Sequence, residues 1–309
     1  MEFVHIPVMA NEVIDMLCIK NDGVYVDCTL GGGGHTKLIL KHLSEKGRVI
    51  GIDRDEDAIK NAEENIKDKR LITVRNNYEN VASVIKDSGF ESVDGILMDL
   101  GVSSHQLDVP ERGFSYMHDA PLDMRMDRSS PLDAYSVVNG YSEQELIRIL
   151  KDYGEERFAS RIAKKIVEER ETDPIKNTLR LADIITSAIP AKFRHEGGHP
   201  AKRSFQAIRI EVNGELDSIP EAIKSGAEML KKGGRMAVIT FHSLEDRIVK
   251  NSFLKLVDPC VCPKDFPVCV CGAKQIAKII TRKPMVPGEE ELESNIRAHS
   301  AKLRVCERV

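Results

Sequence analysis

Short apolar runs and helical stripes alternate along the first hundred residues. Val24-Tyr25-Val26-Asp27 is an apolar run that ends on an acid and meets a string of glycines. Similar runs are Val49-Ile50-Gly51-Ile52-Asp53, Leu71-Ile72-Thr73-Val74 and Val93 to Met98, the last broken by Asp94 and Gly95. Between them Gly34 to Leu43 reads as a helix, and Ile59, Ala62 and Ile66 share one helical face. Strands separated by helical patterns predict right-handed βαβ units and a parallel sheet.

The alternation stops at Gly101, and the chain to about Asp133 is polar, proline-rich and aperiodic. Loops of that length are usually functional or mobile. Helices follow without a strand signal. Ser142 and Glu145 form a capping-box pattern ahead of the stripe Leu146, Ile149, Leu150 and Tyr153, which Gly154 closes. Phe158, Ile162 and Ile166 continue at helical spacing, and Thr178 to Ile189 is a helix stopped by Pro190. Ser204 to Leu230 returns to long helices, interrupted at Pro220, before a fifth strand at Met236–Thr240 and a late edge strand at Leu303-Arg304-Val305. The expected organisation is an α/β core from residues 1–104 and 200–309, split by a helical insertion over 105–199.

With 41% apolar and 30% charged residues the chain has ordinary globular composition, which excludes disordered, collagen-like and coiled-coil classes. No run of about 18 apolar residues exists to span a membrane. The start lacks the basic-then-apolar layout of a signal peptide, so a cytoplasmic location is expected. A net charge of −4 gives no global nucleic-acid signature, although a local basic face remains open.

The candidate chemistry begins at Asp27-Cys28-Thr29-Leu30-Gly31-Gly32-Gly33-Gly34-His35, which leaves the first strand and opens a helix. Glycines there allow a sharp turn and a close backbone approach to a ligand. No Lys-Ser/Thr pair follows, so this is not a phosphate-binding Walker loop, and Thr36 breaks the dinucleotide pattern. Asp53, at the end of the second strand, can accept ribose hydroxyls. A turn chosen only for tightness, with Asp53 a solvated strand end, is the bland alternative, and four consecutive glycines exceed what it needs. An adenosine-containing ligand is favoured, and S-adenosylmethionine suits the loop better than a dinucleotide. Asp27 either supports the loop or reaches the cationic end of that ligand. Asp99 leaves the fourth strand at the same edge, facing the reactive end of a cofactor.

Several longer stretches are similar to one family. They are His5-Ile6-Pro7-Val8-Met9, Gly31 to Thr36, Gly51 to Asp55, Asp99 to Ser104, Glu111 to Ser115, Pro121 to Asp127 and Phe241-His242-Ser243-Leu244-Glu245-Asp246-Arg247. Nearly end to end and in order, the chain resembles the RsmH family, also called MraW. These are bacterial S-adenosylmethionine-dependent 16S rRNA cytosine-N4 methyltransferases. The resemblance implies a class I (Rossmann-like) methyltransferase sheet with an inserted all-helical domain for substrate recognition. It implies methylation of N4 of a decoding-region cytosine within the small ribosomal subunit. It also implies cofactor contacts at Gly33, Gly34, His35, Asp53, Asp99 and Gln106, and at Tyr78, where the family often carries Phe. A cytosine N4 is a poor nucleophile because its lone pair is delocalised. An acceptor such as Asp99 helps it become tetrahedral and shed a proton. A role for Asp99 in cofactor binding alone stays open.

Lys202, Arg203 and Arg209 are expected phosphate contacts, against the plain alternative of a solvated helix start. The loop 105–127, with Arg112, Phe114, Tyr116, Arg125 and Arg128, is a candidate RNA clamp, and Met117, Met124 and Met126 read as packing. His242 binds substrate, shuttles a proton, or belongs to a helix start capped through Ser243. Cys260, Cys262, Cys269 and Cys271 crowd one segment and can hold a structural zinc, with redox-inert surface thiols as the alternative. Expected partners are 16S rRNA and the small subunit, with no membrane and with a homodimer left open. Competing functions are a methyltransferase for DNA or protein, a nucleotide-dependent oxidoreductase and a non-catalytic RNA-binding or assembly factor. Asp99-Leu100-Gly101 lacks the Pro-Pro-aromatic sequence common in DNA amino-methyltransferases.

Overall fold

The computed structural model describes residues 7–194, 198–263 and 270–309. The chain forms two compact units, Met1–Gly101 with Leu216–Val309, and Val102–Glu215. In chain order the first unit begins with α1 (Ala10–Leu17), β1 (Val24–Asp27), α2 (Gly34–His42), β2 (Arg48–Asp53), α3 (Glu56–Asn65), β3 (Leu71–Arg75), α4 (Val81–Asp87) and β4 (Val93–Asp99). The strands are β-branched and apolar because they are covered on both faces: Val26, Val49, Ile50, Ile52, Ile96 and Leu97 are all fully buried. Each such side chain is worth about 1.5–3 kcal/mol, enough to carry one costly polar group in their midst. That group is Asp94. It does not break β4; its carboxylate accepts the Val24 amide at 3.0 Å and pairs with Lys20 and Lys231 at 3.0 and 2.7 Å. Gly95 is also needed inside the strand, since a Cβ there would stand 2.8 Å from the Tyr25 ring.

The second unit contains α5 (Ser104–Asp108), α6 (Ala134–Gly140), α7 (Glu143–Asp152), α8 (Ala159–Thr172), α9 (Thr178–Ala188) and α10 (Lys202–Asn213). The expected capping box starts α7, with Ser142 Oγ accepting the Glu145 amide at 3.3 Å and Glu145 Oε2 accepting the Ser142 amide at 2.7 Å. Gly154 admits the start of α10, because a Cβ would lie 2.8 Å from the Arg203 carbonyl. Helix α10 was expected in the α/β core. Its Phe205, Ala207, Ile208 and Val212 instead join the buried cluster of the helical unit, with Leu146, Ile149, Ile162 and Leu181. The return to the sheet therefore falls after Glu215, not after residue 199.

The first unit resumes with α11 (Ser218–Met229), β5 (Leu230–Thr240), α12 (Ser243–Val257), β6 (Ala277–Ile279), α13 (Glu289–Ser294) and β7 (Lys302–Arg308). The break between α10 and α11 lies at Gly214, left-handed at φ 57°, and Pro220 sits harmlessly in the first turn of α11. The seven strands run in the order β3-β2-β1-β4-β5-β7-β6. β1 to β5 are mutually parallel, and β7 is antiparallel to both β5 and β6. The expected late edge strand is thus an interior one. The true edge, β6, is three residues long and gave no apolar signal. Register places Asp27 opposite Gly51 and Leu97, Asp53 opposite Arg75 and Asp99 opposite Ile239, so all three acids close their strands at the carboxyl edge.

Candidate cofactor and active site

The turn after β1 is built from within. Gly31 and Gly33 take φ of 48° and 72°, conformations that favour glycine. A Cβ on Gly33 would also meet Ile66 Cδ1 at 2.4 Å. Gly33 is the N-cap of α2 and Gly34 its first residue, so free amides of the helix start lie on this turn. Asp27 is buried, and its carboxylate accepts the Thr29 amide at 3.2 Å and the Thr36 hydroxyl at 2.7 Å. Of its two expected roles, the structure displays the loop support.

Asp53 receives the Gly31 amide on Oδ2 at 2.8 Å and the Asp55 amide on Oδ1 at 2.9 Å. Burial nevertheless pushes its pKa up to about 6, the two amides and Arg54 pulling the other way and Asp55 adding to the rise. Each oxygen keeps a second lone pair for a further donor. Tyr78 opens a single 3-10 turn after β3 and is half-buried.

At the end of β4, the Asp99 amide donates to Thr29 Oγ1 at 2.7 Å, tying this strand to the glycine turn. The Asp99 side chain is 25% exposed, but its Oδ1 is shut off from solvent and has no hydrogen-bond partner among the described residues. Burial raises the Asp99 pKa to about 6; His35 opposes the rise, while Asp27 and Glu245 add to it. His35 is buried at the start of α2. Its Nε2 lies 2.9 Å from the Val8 carbonyl, which can only accept, so that nitrogen carries hydrogen. Its Nδ1 stands 3.6 Å from Asp99 Oδ2, too far for a hydrogen bond. The His35 ring is therefore committed to holding Val8 and flanking Asp99.

The segment after β5 reaches the same edge. Glu245 is 1% exposed and accepts the Phe241 amide at 2.7 Å. His242 itself, not Ser243, caps α12: its Nδ1 accepts the Glu245 amide at 3.4 Å. Neither Thr29 nor Glu245 stood out in the sequence reading as a site residue. The spacing His242-x-x-Glu245 at a helix start was a usable signal for the second; Thr29 offered none.

The other expected residues are placed within their own parts of the chain. Gln106 belongs to the helical unit, where its Oε1 accepts the Ser103 amide at 3.0 Å in the capping box of α5. Lys202 and Arg203 are exposed at the start of α10. Arg209 does not join them, because its guanidinium is bidentate with Glu215, both contacts at 2.9 Å. The clamp expected in 105–127 is largely turned inward. Arg112 and Phe114 are buried, Arg125 is bidentate with Asp123, and Tyr116 stacks on His199 at 4.4 Å. Met124 and Met126 pack as expected, but Met117 is 64% exposed. Cys260, Cys262 and Cys271 come together after α12; Cys269 lies outside the described residues.

A parallel sheet with an antiparallel β7 between β5 and β6, a glycine turn after β1 and an acid closing β2 defines a class I, Rossmann-like methyltransferase. The chain belongs to the MraW methylase family, whose match runs over residues 2–309. Two curated relatives, both called ribosomal RNA small subunit methyltransferase H, come from Clostridium botulinum strains Kyoto (type A2) and 657 (type Ba4). Each is 59% identical over 310 residues, covering 100% of this chain and 100% of its own. Among solved structures, an rRNA methylase from Streptococcus thermophilus aligns over 97% of this chain and 93% of its own, at 11% identity and a TM-score of 0.42. The sheet order, not that likeness, carries the fold class.

Proposed function

We propose that this chain transfers a methyl group from S-adenosylmethionine to the N4 amine of a cytosine in the decoding region of 16S rRNA. The observation that carries the substrate class is the full-length 59% identity to small-subunit rRNA methyltransferases. The chemistry rests on Asp99.

The residues at the sheet edge fit an adenosine-bearing cation. Asp53 has lone pairs for ribose hydroxyls, the Gly33–Gly34 turn presents the backbone amides of a helix start, and Tyr78 offers an aromatic face to a base. Asp27, Asp99 and Glu245 make the edge acidic, as a sulfonium requires. When bound, that cofactor supplies an electrophilic methyl group needing no further activation. The protein's work is then positioning, acceptance of a hydrogen bond and removal of a proton. The Asp99 carboxylate, 25% exposed, accepts an N–H of the target amine, orients its lone pair and takes the proton as the nitrogen becomes tetrahedral. Glu245 and Asp27 raise the basicity of Asp99, and His35 limits that rise.

The target base must be single-stranded or flipped out to reach such an edge. We assign recognition of the surrounding RNA to the helical unit, with Lys202 and Arg203 on phosphates. Arg209, engaged by Glu215, is left out of that patch. Among the described residues no helix is long and apolar enough to cross a membrane.

The test is transfer of labelled methyl to purified small subunits lacking the modification, followed by nucleoside analysis. N4-methylated cytidine, absent with Asp53→Ala, is the expected result. Transfer to another atom or only to DNA or protein would overturn the substrate assignment.

A further inference from the structure

Between α12 and β6 the chain runs for nineteen residues, 258–276, without a described helix or strand. None of its described residues is buried. Its Val261 and Val270 are 84% and 74% exposed. Its far end is fixed to the core, where the Ile276 amide donates to the Leu256 carbonyl at 2.8 Å. An excursion of that length with Val261 and Val270 in solvent needs a cross-link to hold one shape, since burial of its described residues supplies little.

Three sulfurs meet inside it. The Sγ atoms of Cys260, Cys262 and Cys271 all lie within 4.8 Å of one another. Cys260 and Cys271 Sγ are 3.8 Å apart. That is far beyond a disulfide bond of about 2.05 Å. It matches the edge of a tetrahedron of thiolates around zinc, about 3.8 Å for zinc–sulfur bonds of about 2.3 Å. Cys262 Sγ also accepts the Val270 amide at 3.3 Å, the kind of contact that steadies a metal-bound thiolate. Residues eleven apart in sequence, Cys260 and Cys271, are thereby brought to one point at the neck of the segment. The cluster is separate from the carboxyl edge of the parallel strands, and the proposed methyl transfer uses none of it.

We propose that Cys260, Cys262 and Cys271 bind one zinc ion, which closes the neck of this segment. Zinc is preferred to other divalent metals because the donors are soft sulfurs converging with tetrahedral spacing. Binding replaces the three thiol protons, which pass to the buffer, with three zinc–sulfur bonds and changes no oxidation state. The ion's role is structural: it ties together described residues that burial does not hold. Nothing in this assignment rests on Cys269, which lies outside the described residues.

The experiment uses the untagged full chain, purified in reductant, exposed to zinc sulfate and then dialysed. Metal is counted by mass spectrometry and by release to a colorimetric chelator on titration with an organomercurial. About one zinc per chain is expected, released as thiols are blocked. The Cys260→Ser, Cys271→Ser double variant is expected to hold at least about tenfold less, with far-ultraviolet circular dichroism and S-adenosylmethionine affinity unchanged. Failure of the reduced wild-type chain to take up zinc overturns the assignment, as does full retention by the double variant. A Cys260–Cys271 disulfide that persists in protein purified under reductant, seen as the loss of two hydrogens, would overturn it as well. Cobalt substitution supplies a second reading, with sulfur-to-metal charge-transfer bands in the wild type and their loss in the variant.

Discussion

The end of β4 and the loop between α5 and α6 are both crowded with ionisable side chains, and they treat them in opposite ways. At the end of β4, Asp99 keeps one oxygen out of water with no partner, beside two further acids. In the loop, most ion pairs and hydrogen bonds are made within the chain itself. Arg112 is 1% exposed and donates to the carbonyls of Arg125 and Met126 at 2.9 and 3.2 Å. Asn213 accepts the Met126 amide and donates to the Met124 carbonyl, both at 2.7 Å. A buried group with unfilled hydrogen-bonding capacity costs stability and is available to a substrate; a satisfied one stabilises and is not available. By that criterion the β4 end is the better candidate site and the loop interior is mostly scaffold, although the sequence offered both as candidates.

The sharpest way to break the contrast is Asp99→Asn. Methyl transfer should fall about 10²–10⁴-fold, the usual worth of a positioned acid–base group. The folded protein should be no less stable at pH 8, because the burial penalty of a charge is removed. A fall in both together, in proportion, would make Asp99 a structural residue. The wild type adds a pH test. With Asp99 raised to about 6 by burial, transfer should decline as pH falls through about 6, and Asp99→Asn should lose that limb. Stability has the opposite sign. Asp53 and Asp99 both hold protons in the folded state to higher pH than in the unfolded chain. Their contribution is therefore largest below the ordinary carboxylate range and is lost as pH rises through about 6. Chemical denaturation of wild type and Asp99→Asn across pH 4–8 would resolve this.

Arg112→Met should do the reverse of Asp99→Asn. Leaving two buried carbonyls without their donor should cost about 2–4 kcal/mol in urea unfolding, with S-adenosylmethionine affinity intact. Unchanged stability with weakened RNA binding would turn this residue back into a clamp. The smallest effect belongs to Lys202→Ala with Arg203→Ala. Stability should stay within about 0.5 kcal/mol, while the slope of log affinity for RNA against log salt becomes shallower by about 1.4, two phosphate contacts on a single strand. An unchanged slope would remove that patch from the interface and leave the helical unit's surface without its proposed cationic contact.

The sequence by itself determined what is local. Strand, acid and glycine turn follow one another within a few residues at Val24–Gly34, and the acids at the ends of β1, β2 and β4 were legible because a parallel sheet puts those ends on one edge. The capping box of α7 was equally plain, since its partners are three residues apart. The tertiary structure alone decided which partner each element and side chain would have. An amphipathic helix such as α10 announces that it will be buried, not against what, so its membership of the helical unit was invisible. Arg209 read as a phosphate ligand until Glu215 appeared across the turn at Gly214. Arg112 read as surface until the chain folded two carbonyls onto it. β6 carries too few apolar residues to announce itself and exists because β7 offers it a ladder. Periodicity and capping act over three or four residues, whereas satisfaction of a charge depends on groups farther along the chain, six residues away for Arg209 and thirteen and fourteen for Arg112, and only the folded chain assembles those.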